Sequence, residues 1–170
     1  MSRIRQAVPE DGKALTRLAR ETYVAAFGHS FTPADLAAHL ERHLSTSNVD
    51  GWIARDTVLL AEAEDRLVGF VQFGPAGPAM ELRRLYVLDG CQGRGIGSRL
   101  LRAALAHPDM AGADRIVLDV WERNHGARRL YERYGFQVVG RRSFAVASGE
   151  ASDDDLIMQR LACQNSDLAQ

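Results

Sequence analysis

The stretch LYVLDGCQGRGIGSRLL, residues 85–101, places three glycines within five positions, between a run typical of a strand and a run typical of a helix. These glycines are Gly93, Gly95 and Gly97. A glycine-rich turn at the start of a helix exposes backbone N–H groups at the positive end of the helix dipole. Glycine also leaves room for an anion to approach the backbone. The stretch therefore predicts an anion site, and pyrophosphate is its natural ligand.

Two common phosphate-binding motifs do not fit the spacing of these glycines. A dinucleotide-binding GxGxxG motif that begins at Gly93 needs a third glycine where Ser98 stands. A P-loop needs Lys followed by Ser or Thr at the end of the turn, and no such pair is present there. The pattern that does fit is QxxGxG, residues 92–97. Taken alone, the glycines are also compatible with a flexible turn that binds nothing.

The composition is that of an ordinary globular protein. The chain has 170 residues and a net charge of −1, with 46% hydrophobic and 25% charged residues. We expect a single domain over residues 1–170, with a core at about 3–161 and a polar, frayed tail from Ala162. The near-neutral charge gives no reason to expect a nucleic-acid partner. No stretch reaches the roughly 20 apolar residues that a membrane span needs, and residues 1–12 lack a secretory signal, so we expect a cytoplasmic protein. Cys91 and Cys163 predict no disulfide framework.

Hydrophobic periodicity predicts alternating strands and helices. One helix carries Leu15, Leu18 and Ala19, and a second begins after Thr32 and runs to Leu44. We predict a loop at residues 74–79, and we expect helices at 93–106 and 124–135. The alternation favours an α/β or α+β fold with a mixed sheet. Its predicted strands cover residues 3–8, two strands within 57–73, 81–88, 115–121, 136–144 and 155–161.

Two segments of the sequence resemble the GCN5-related N-acetyltransferase (GNAT) family. YVLDGCQGRGIGSRLL, residues 86–101, is similar to the family's motif A, which holds the pyrophosphate of acetyl-CoA. NHGARRLYERYGF, residues 124–136, is similar to the family's NxxAxxLYxxxGF helix and the strand that follows. The resemblance implies the GNAT fold, with a central mixed, mostly antiparallel sheet of six to seven strands flanked by about four helices. It also implies an acyltransferase that uses acetyl-CoA and no metal.

The resemblance further implies which residues bind acetyl-CoA. A bulge would separate the family's strands 4 and 5, so that the pantetheine arm pairs with backbone groups of Leu85, Tyr86 and Val87. One freed N–H group there would face the thioester oxygen. Asn124 would contact the CoA arm. The loop residues that would hold the pyrophosphate are Gln92, Gly93, Arg94, Gly95, Ile96, Gly97 and Ser98.

Acyl transfer to an amine also needs an acid and a base. An alkylamine has a pKa of about 10.4 if lysine is the guide, so a proton must leave before attack. Tyr131 matches the family's tyrosine beside the sulfur, which donates a proton to the leaving thiolate. On periodicity alone it would be a core aromatic beside Leu130 and Tyr134. Many relatives carry an acid at the position of Arg83, and Glu81, on the same face of a regular strand, is the nearest replacement. Glu81 could equally be a solvated charge, with a water chain as the base.

The acceptor is the least determined part of the prediction. Residues 21–40, 119–136 and 153–161 resemble the bacterial spermidine/spermine N-acetyltransferase branch, which implies a primary polyamine as acceptor. Protein N-termini or lysines are the alternative acceptors, and a CoA-binding regulatory module without turnover is an alternative of another class. A homodimer is left open. His39 and His43 have helical spacing but no evident third metal ligand. The carboxylates that could face a polycation are Glu21, Asp35, Asp119, Glu122 and the run 153–155.

Overall fold

The computed structural model describes residues 2–144 and 153–162. The strands are β1 (Arg3–Gln6), β2 (Thr57–Ala63), β3 (Arg66–Ala76), β4 (Ala79–Val87), β5 (Arg115–Trp121), β6 (Gln137–Phe144) and β7 (Asp153–Leu161). They form a seven-stranded sheet with the strand order β1-β2-β3-β4-β5-β7-β6. β4 and β5 pair in parallel, whereas β1–β2, β2–β3, β5–β7 and β6–β7 pair antiparallel. The predicted mixed, mostly antiparallel sheet is therefore confirmed. The helices are α1 (Gly12–Phe27), α2 (Pro33–His43), α3 (Thr46–Arg55), α4 (Ile96–Ala106), α5 (Pro108–Ala111) and α6 (His125–Arg133).

The chain divides into two compact units, and each is described by itself. The first unit consists of Met1–Gly74 and Arg84–Leu105, and the second of Pro75–Arg83 and Ala106–Gln170. The expectation of a single domain stays a prediction. Within the described residues, no helix is long and apolar enough to cross a membrane.

The core of the first unit forms around the β2–β3 hairpin. Its turn lies at Glu64 and Asp65, which have φ angles of 51° and 58° and separate the two strands predicted within residues 57–73. Trp52 of α3 stacks on Phe70 of β3 with 6.3 Å between ring centroids. Burial of these large apolar side chains is the main stabilising contribution to such a unit. Other buried members of this core are Leu15, Leu18, Val49, Val58, Leu60, Val71, Phe73, Leu100 and Leu101.

The core of the second unit lies on one face of β5 and β7. On β5, Ile116, Leu118 and Val120 are buried and alternate with more exposed residues. They face the same side as the buried Leu156 and Met158 of β7, because Val120 pairs with Leu156 and Leu118 with Met158. The branched residues of 115–121 predict a buried strand, and β5 is buried on this one face, whereas Asp119 lies exposed on the opposite face.

Several element predictions need correction. The four helices predicted from the periodicity form, and α3 and the short α5, which were not predicted, form in addition. Residues 74–79 are not a loop throughout, because β3 extends to Ala76 and β4 starts at Ala79, with the turn at Gly77 (φ +59°) and Pro78. α4 begins at Ile96 rather than at residue 93. The reason is that Gly93 and Gly95 both have a φ of +75°, which a right-handed helix excludes. Of the predicted frayed tail, Ala162 is described, and its amide donates to the Asp114 carbonyl at 2.9 Å. Residues 163–170, with Cys163, lie outside the described residues.

A cluster of rings joins the end of α1 to α2. Tyr23 stacks on His39 with 4.9 Å between centroids, and Phe31 lies 5.2 Å from the same imidazole. His43 follows one helical turn later, 4.6 Å from His39. Burial, with smaller effects of His43 and Arg42, lowers the pKa of His39 from its ordinary value of 6.5. The neutral imidazole is therefore favoured in the folded protein.

This lowered pKa predicts a loss of stability in acid. The unfolded chain binds a proton at His39 at a higher pH than the folded chain, so the free energy of unfolding should fall as the pH drops below about 6.5. His39→Gln should reduce this loss, whereas His29→Gln, at an exposed residue, should not. Urea unfolding at about pH 7.5 and about pH 5.5 measures the effect. An identical pH dependence for wild type and His39→Gln would contradict this explanation.

Candidate functional site

The glycine-rich loop follows directly from the end of β4. The Leu88 amide donates to the Val68 carbonyl of β3 at 2.9 Å, which anchors the start of the loop. The Gln92 side chain donates to the Val87 carbonyl at 3.3 Å and to the Asp89 carboxylate at 3.0 Å. Gln92, predicted as a pyrophosphate ligand, therefore uses its side chain to tie the loop back to β4. Its predicted contact with a ligand would be made by its backbone.

The conformation of the loop explains two of its glycines. Gly93 and Gly95 both have a φ of +75°, and a Cβ at either position would have no atom within 4 Å. Glycine is therefore required by the backbone angle and not by lack of space. The open space also leaves the backbone accessible to a bulky anion.

The amides at the start of α4 form the donor part of the loop. The first backbone bond of the helix runs from the Arg99 amide to the Gly95 carbonyl at 3.0 Å. The amides of Ile96 and Gly97 precede this bond and have no acceptor within the helix. They lie at the positive end of the α4 dipole. This geometry fits a pyrophosphate group, which needs several donors and a nearby positive potential.

Close packing of β4 and α4 against β3 supports the glycine-rich loop. A Cβ at Gly69 of β3 would lie 3.0 Å from the Tyr86 carbonyl oxygen and 3.1 Å from Leu100 Cδ1. Gly69 therefore allows β4 and α4 to approach β3 closely. Leu85, Tyr86 and Val87, predicted to pair with the pantetheine arm, are half-buried here. Their pairing with a ligand stays a prediction.

A chain of polar side chains runs behind this part of β4, and the sequence did not reveal it. Gln72, which is 1% exposed, donates to the Asp56 carboxylate at 2.6 Å and accepts from Arg84 at 2.8 Å. The Arg84 guanidinium lies 4.1 Å from the centre of the Trp52 ring. The side-chain nitrogen and the side-chain oxygen of Gln72 each have a hydrogen-bond partner, as a buried amide requires. These contacts hold the side chain of Arg84, which directly precedes Leu85.

The second unit contains the predicted acid, Tyr131, and the predicted CoA ligand, Asn124. Tyr131 lies on α6, is 6% exposed, and packs edge-on against Phe136 with 5.8 Å between ring centroids. Asn124 is the N-cap of α6, because its side-chain oxygen accepts from the Ala127 amide at 3.1 Å. This capping role was missed, although Asn before a helix is a common cap. A CoA contact by Asn124 would use its side-chain nitrogen.

The predicted base, Glu81, lies on the part of β4 that belongs to the second unit. Its carboxylate forms an ion pair with Arg83, whose second nitrogen donates to the Pro75 carbonyl at 2.8 Å. The two side chains therefore share one face of the strand, as expected. Glu81 pairs with Val117 in the register of β4 and β5. The carboxylate of Glu81 is therefore already paired with a cation.

Neither a metal centre nor a disulfide appears among the described residues. No group of three or more His, Cys, Asp or Glu side chains in residues 2–144 and 153–162 could hold a metal ion. Cys91 is a half-exposed free thiol in the short turn Asp89–Cys91 before the loop.

The comparisons with known proteins agree with this geometry. The sequence model of the acetyltransferase (GNAT) family matches residues 13–136. The chain belongs to this family. It is therefore an acyltransferase, with acetyl-CoA as the acetyl donor. The GNAT chain is 32% identical over 143 residues to an uncharacterized N-acetyltransferase, YhfO, of Bacillus subtilis, covering 79% of this chain and 89% of that protein.

Another relative has a stated substrate, and solved structures share the fold. The GNAT chain is 30% identical over 135 residues to a spermine/spermidine N(1)-acetyltransferase of Bacillus subtilis, covering 66% of this chain and 88% of that protein. PaiA N-acetyltransferase from Thermoplasma acidophilum, solved with coenzyme A, has a TM-score of 0.77 at 23% identity, with 95% of this chain and 99% of that chain covered. A GNAT acetyltransferase from Streptococcus pneumoniae has a TM-score of 0.74 at 22% identity, with 95% and 99% covered. The predicted GNAT fold is confirmed.

Proposed function

We propose that this acetyltransferase transfers the acetyl group of acetyl-CoA to a primary amine of a polyamine such as spermidine or spermine. The observation that carries the proposal is the 30% identity over 135 residues to the spermine/spermidine N(1)-acetyltransferase. A polycation would need carboxylates to replace its hydration. Two of the side chains expected to supply them are already engaged: Asp119 pairs with Arg142 at 2.8 Å and Glu122 with Arg141 at 2.9 Å. Support from charge is therefore weaker than support from the relative.

The first unit would hold the donor substrate. The amides of the loop from Gln92 to Ser98 would bind the pyrophosphate of acetyl-CoA, and the backbone of Leu85, Tyr86 and Val87 would pair with its pantetheine arm. The thioester supplies an activated acetyl group. Its carbonyl oxygen gains negative charge on attack, and a backbone N–H of this segment would stabilise that charge. Asn124 would contact the CoA arm.

Two proton transfers accompany the reaction, one from the amine acceptor and one to the leaving sulfur. The amine acceptor must lose a proton before it attacks the carbonyl carbon, either to Glu81 or through water. When the tetrahedral intermediate collapses, the carbon–sulfur bond breaks and Tyr131 would donate a proton to the leaving sulfur. Burial of Tyr131 suits this role, because water that is excluded cannot compete for the proton.

A test of the base uses a matched pair of variants. If Glu81 is the base, Glu81→Gln should lower kcat by about 10² and remove the acidic limb of the pH profile of kcat/KM. Glu62→Gln is the control, because Glu62 is also a strand carboxylate paired with an arginine, Arg5, at 2.7 Å. It should leave the profile unchanged. An unchanged profile in Glu81→Gln would assign the proton to a water chain.

The acceptor is tested by competition between substrate classes. Steady-state kinetics with spermidine, spermine, acetylated lysine esters that keep a free α-amine, and short peptides should give the highest kcat/KM for the polyamines. Added salt should reduce this preference, because it screens the attraction between a polycation and carboxylates. If peptides have the higher kcat/KM at low and at high salt, the polyamine proposal is wrong and the alternative of protein N-termini or lysines replaces it.

The remaining expectations concern the setting of the enzyme. We place the reaction in the cytoplasm, and the sequence itself supports this placement, since its two cysteines suggest no disulfide framework. An amine acceptor is the partner that the family requires. A homodimer, and the absence of nucleic-acid and membrane partners, stay predictions.

A further inference from the structure

The first unit contains a cleft of about 620 Å³ whose lining includes none of the residues proposed for acetyl transfer. One side of it is formed by α1, and the other by the end of α2, the segment between α2 and α3, and the start of α3. The α1 side carries three cations, Lys13, Arg17 and Arg20. The other side carries the hydroxyl residues Ser45, Thr46 and Ser47. The cleft is therefore rich in hydrogen-bond donors on both sides.

Two of the three cations are uncompensated. Lys13 and Arg17 lie four residues apart on α1, so their side chains are neighbours on one helical face. Within the part of the chain that the structure describes, neither forms an ion pair or a side-chain hydrogen bond. Arg20 differs, because its Nε donates to the Leu44 carbonyl at 2.7 Å and its guanidinium pairs with Glu41 at 3.1 Å. Arg20 thereby neutralises Glu41, the acidic residue that lines the cleft.

The hydroxyls on the side of the cleft that faces α1 are likewise of two kinds, one already engaged in a hydrogen bond and two that are not. Ser45 is the N-cap of α3 and forms a capping box with Asn48, so its hydroxyl is already engaged. Thr46 and Ser47 follow in the first turn of α3, and among the described residues their hydroxyls have no hydrogen-bond partner. The cleft thus presents an ammonium, a guanidinium and two hydroxyls that have no acceptor among residues 2–144 and 153–162.

We propose that this cleft binds the phosphate group of a small soluble ligand. A tetrahedral phosphate has enough oxygens to accept from the guanidinium fork of Arg17, the ammonium of Lys13 and both hydroxyls at once. A single carboxylate has two oxygens and would leave donors unsatisfied. The concave shape favours a small molecule over a flat surface. The proposal is independent of the acetyl-transfer reaction and of its acceptor.

The test is titration calorimetry with inorganic phosphate on protein saturated with CoA, so that the glycine-rich loop is filled. We expect saturable binding at one site. Lys13→Gln and Arg17→Gln should each weaken it by about tenfold, the effect of one lost charge-assisted hydrogen bond. Both residues are exposed, so the variants should fold, which circular dichroism verifies. Arg3→Gln, at an exposed arginine of β1, is the matched control and should bind like wild type.

A variant that is expected to increase the affinity for phosphate gives a second test. Glu41→Gln removes the carboxylate of the cleft and should tighten phosphate binding. No saturable phosphate binding by the wild type would overturn the proposal, and so would an unchanged affinity in the double variant Lys13→Gln/Arg17→Gln. Wild-type acetyl-transfer kinetics in the double variant would show that the cleft is separate from the catalytic machinery, whereas loss of acetyl-CoA binding would show that it is part of the donor site and contradict the proposal.

Discussion

Gly95→Glu is expected to abolish acetyl-CoA binding and leave the protein folded. Gly95 has a φ of +75°, where a side chain strains the backbone, and its carbonyl accepts the first helical bond of α4. A glutamate there would also put a negative charge beside the amides that are proposed to hold pyrophosphate. Calorimetric titration with acetyl-CoA measures the loss, which we expect to exceed 10²-fold, about 2.7 kcal/mol.

The control for this variant must carry the same strain and the same charge. Gly77→Glu meets both conditions, because Gly77 has a φ of +59° in the β3–β4 turn and a Cβ there would have no atom within 4 Å. It should lose a similar amount of stability and keep wild-type affinity for acetyl-CoA. Wild-type affinity in folded Gly95→Glu would refute the assignment of the loop.

Tyr131→Phe is expected to lower kcat by about 10² or more, the usual scale for a lost general acid. Acetyl-CoA affinity should change little, since the ring and its edge-on contact with Phe136 are kept. The reduced rate should appear in kcat at saturating acetyl-CoA and amine. Tyr134→Phe, at the C-cap of the same helix, is the control and should retain activity. A kcat for Tyr131→Phe within about twofold of wild type would leave this tyrosine with a packing role alone.

The loop was the most predictable part of the molecule, because its signal is local. Glycines between a strand and a helix predicted the turn, and the structure places Gly93 and Gly95 at positive φ. The start of α4 was predicted too early, at residue 93, because a pattern of apolar residues does not reveal a left-handed backbone. The capping role of Asn124 was also a local signal, and it was overlooked beside the family role.

Other features depend on contacts distant in sequence. α3 was missed because TSNVDGWIAR contains a glycine and few apolar residues, although Ser45 and Asn48 form a capping box and Val49 and Trp52 are spaced for one face. The chain from Asp56 through Gln72 to Arg84 forms only when β3 and β4 are paired, so a single sequence gives no signal for it. The cleft that includes Lys13 and Arg17 depends likewise on the packing of α1 against α3.

The most direct test of acetyl transfer to an amine is the release of free CoA thiol from acetyl-CoA, with mass spectrometry of the amine, over a panel of polyamines, amino acids and peptides. We expect amine-dependent thiol release, one acetyl group added per CoA released, and spermidine or spermine among the best acceptors, with the rate lost in Tyr131→Phe. Thiol release that no amine accelerates, with no acetylated product, would contradict it.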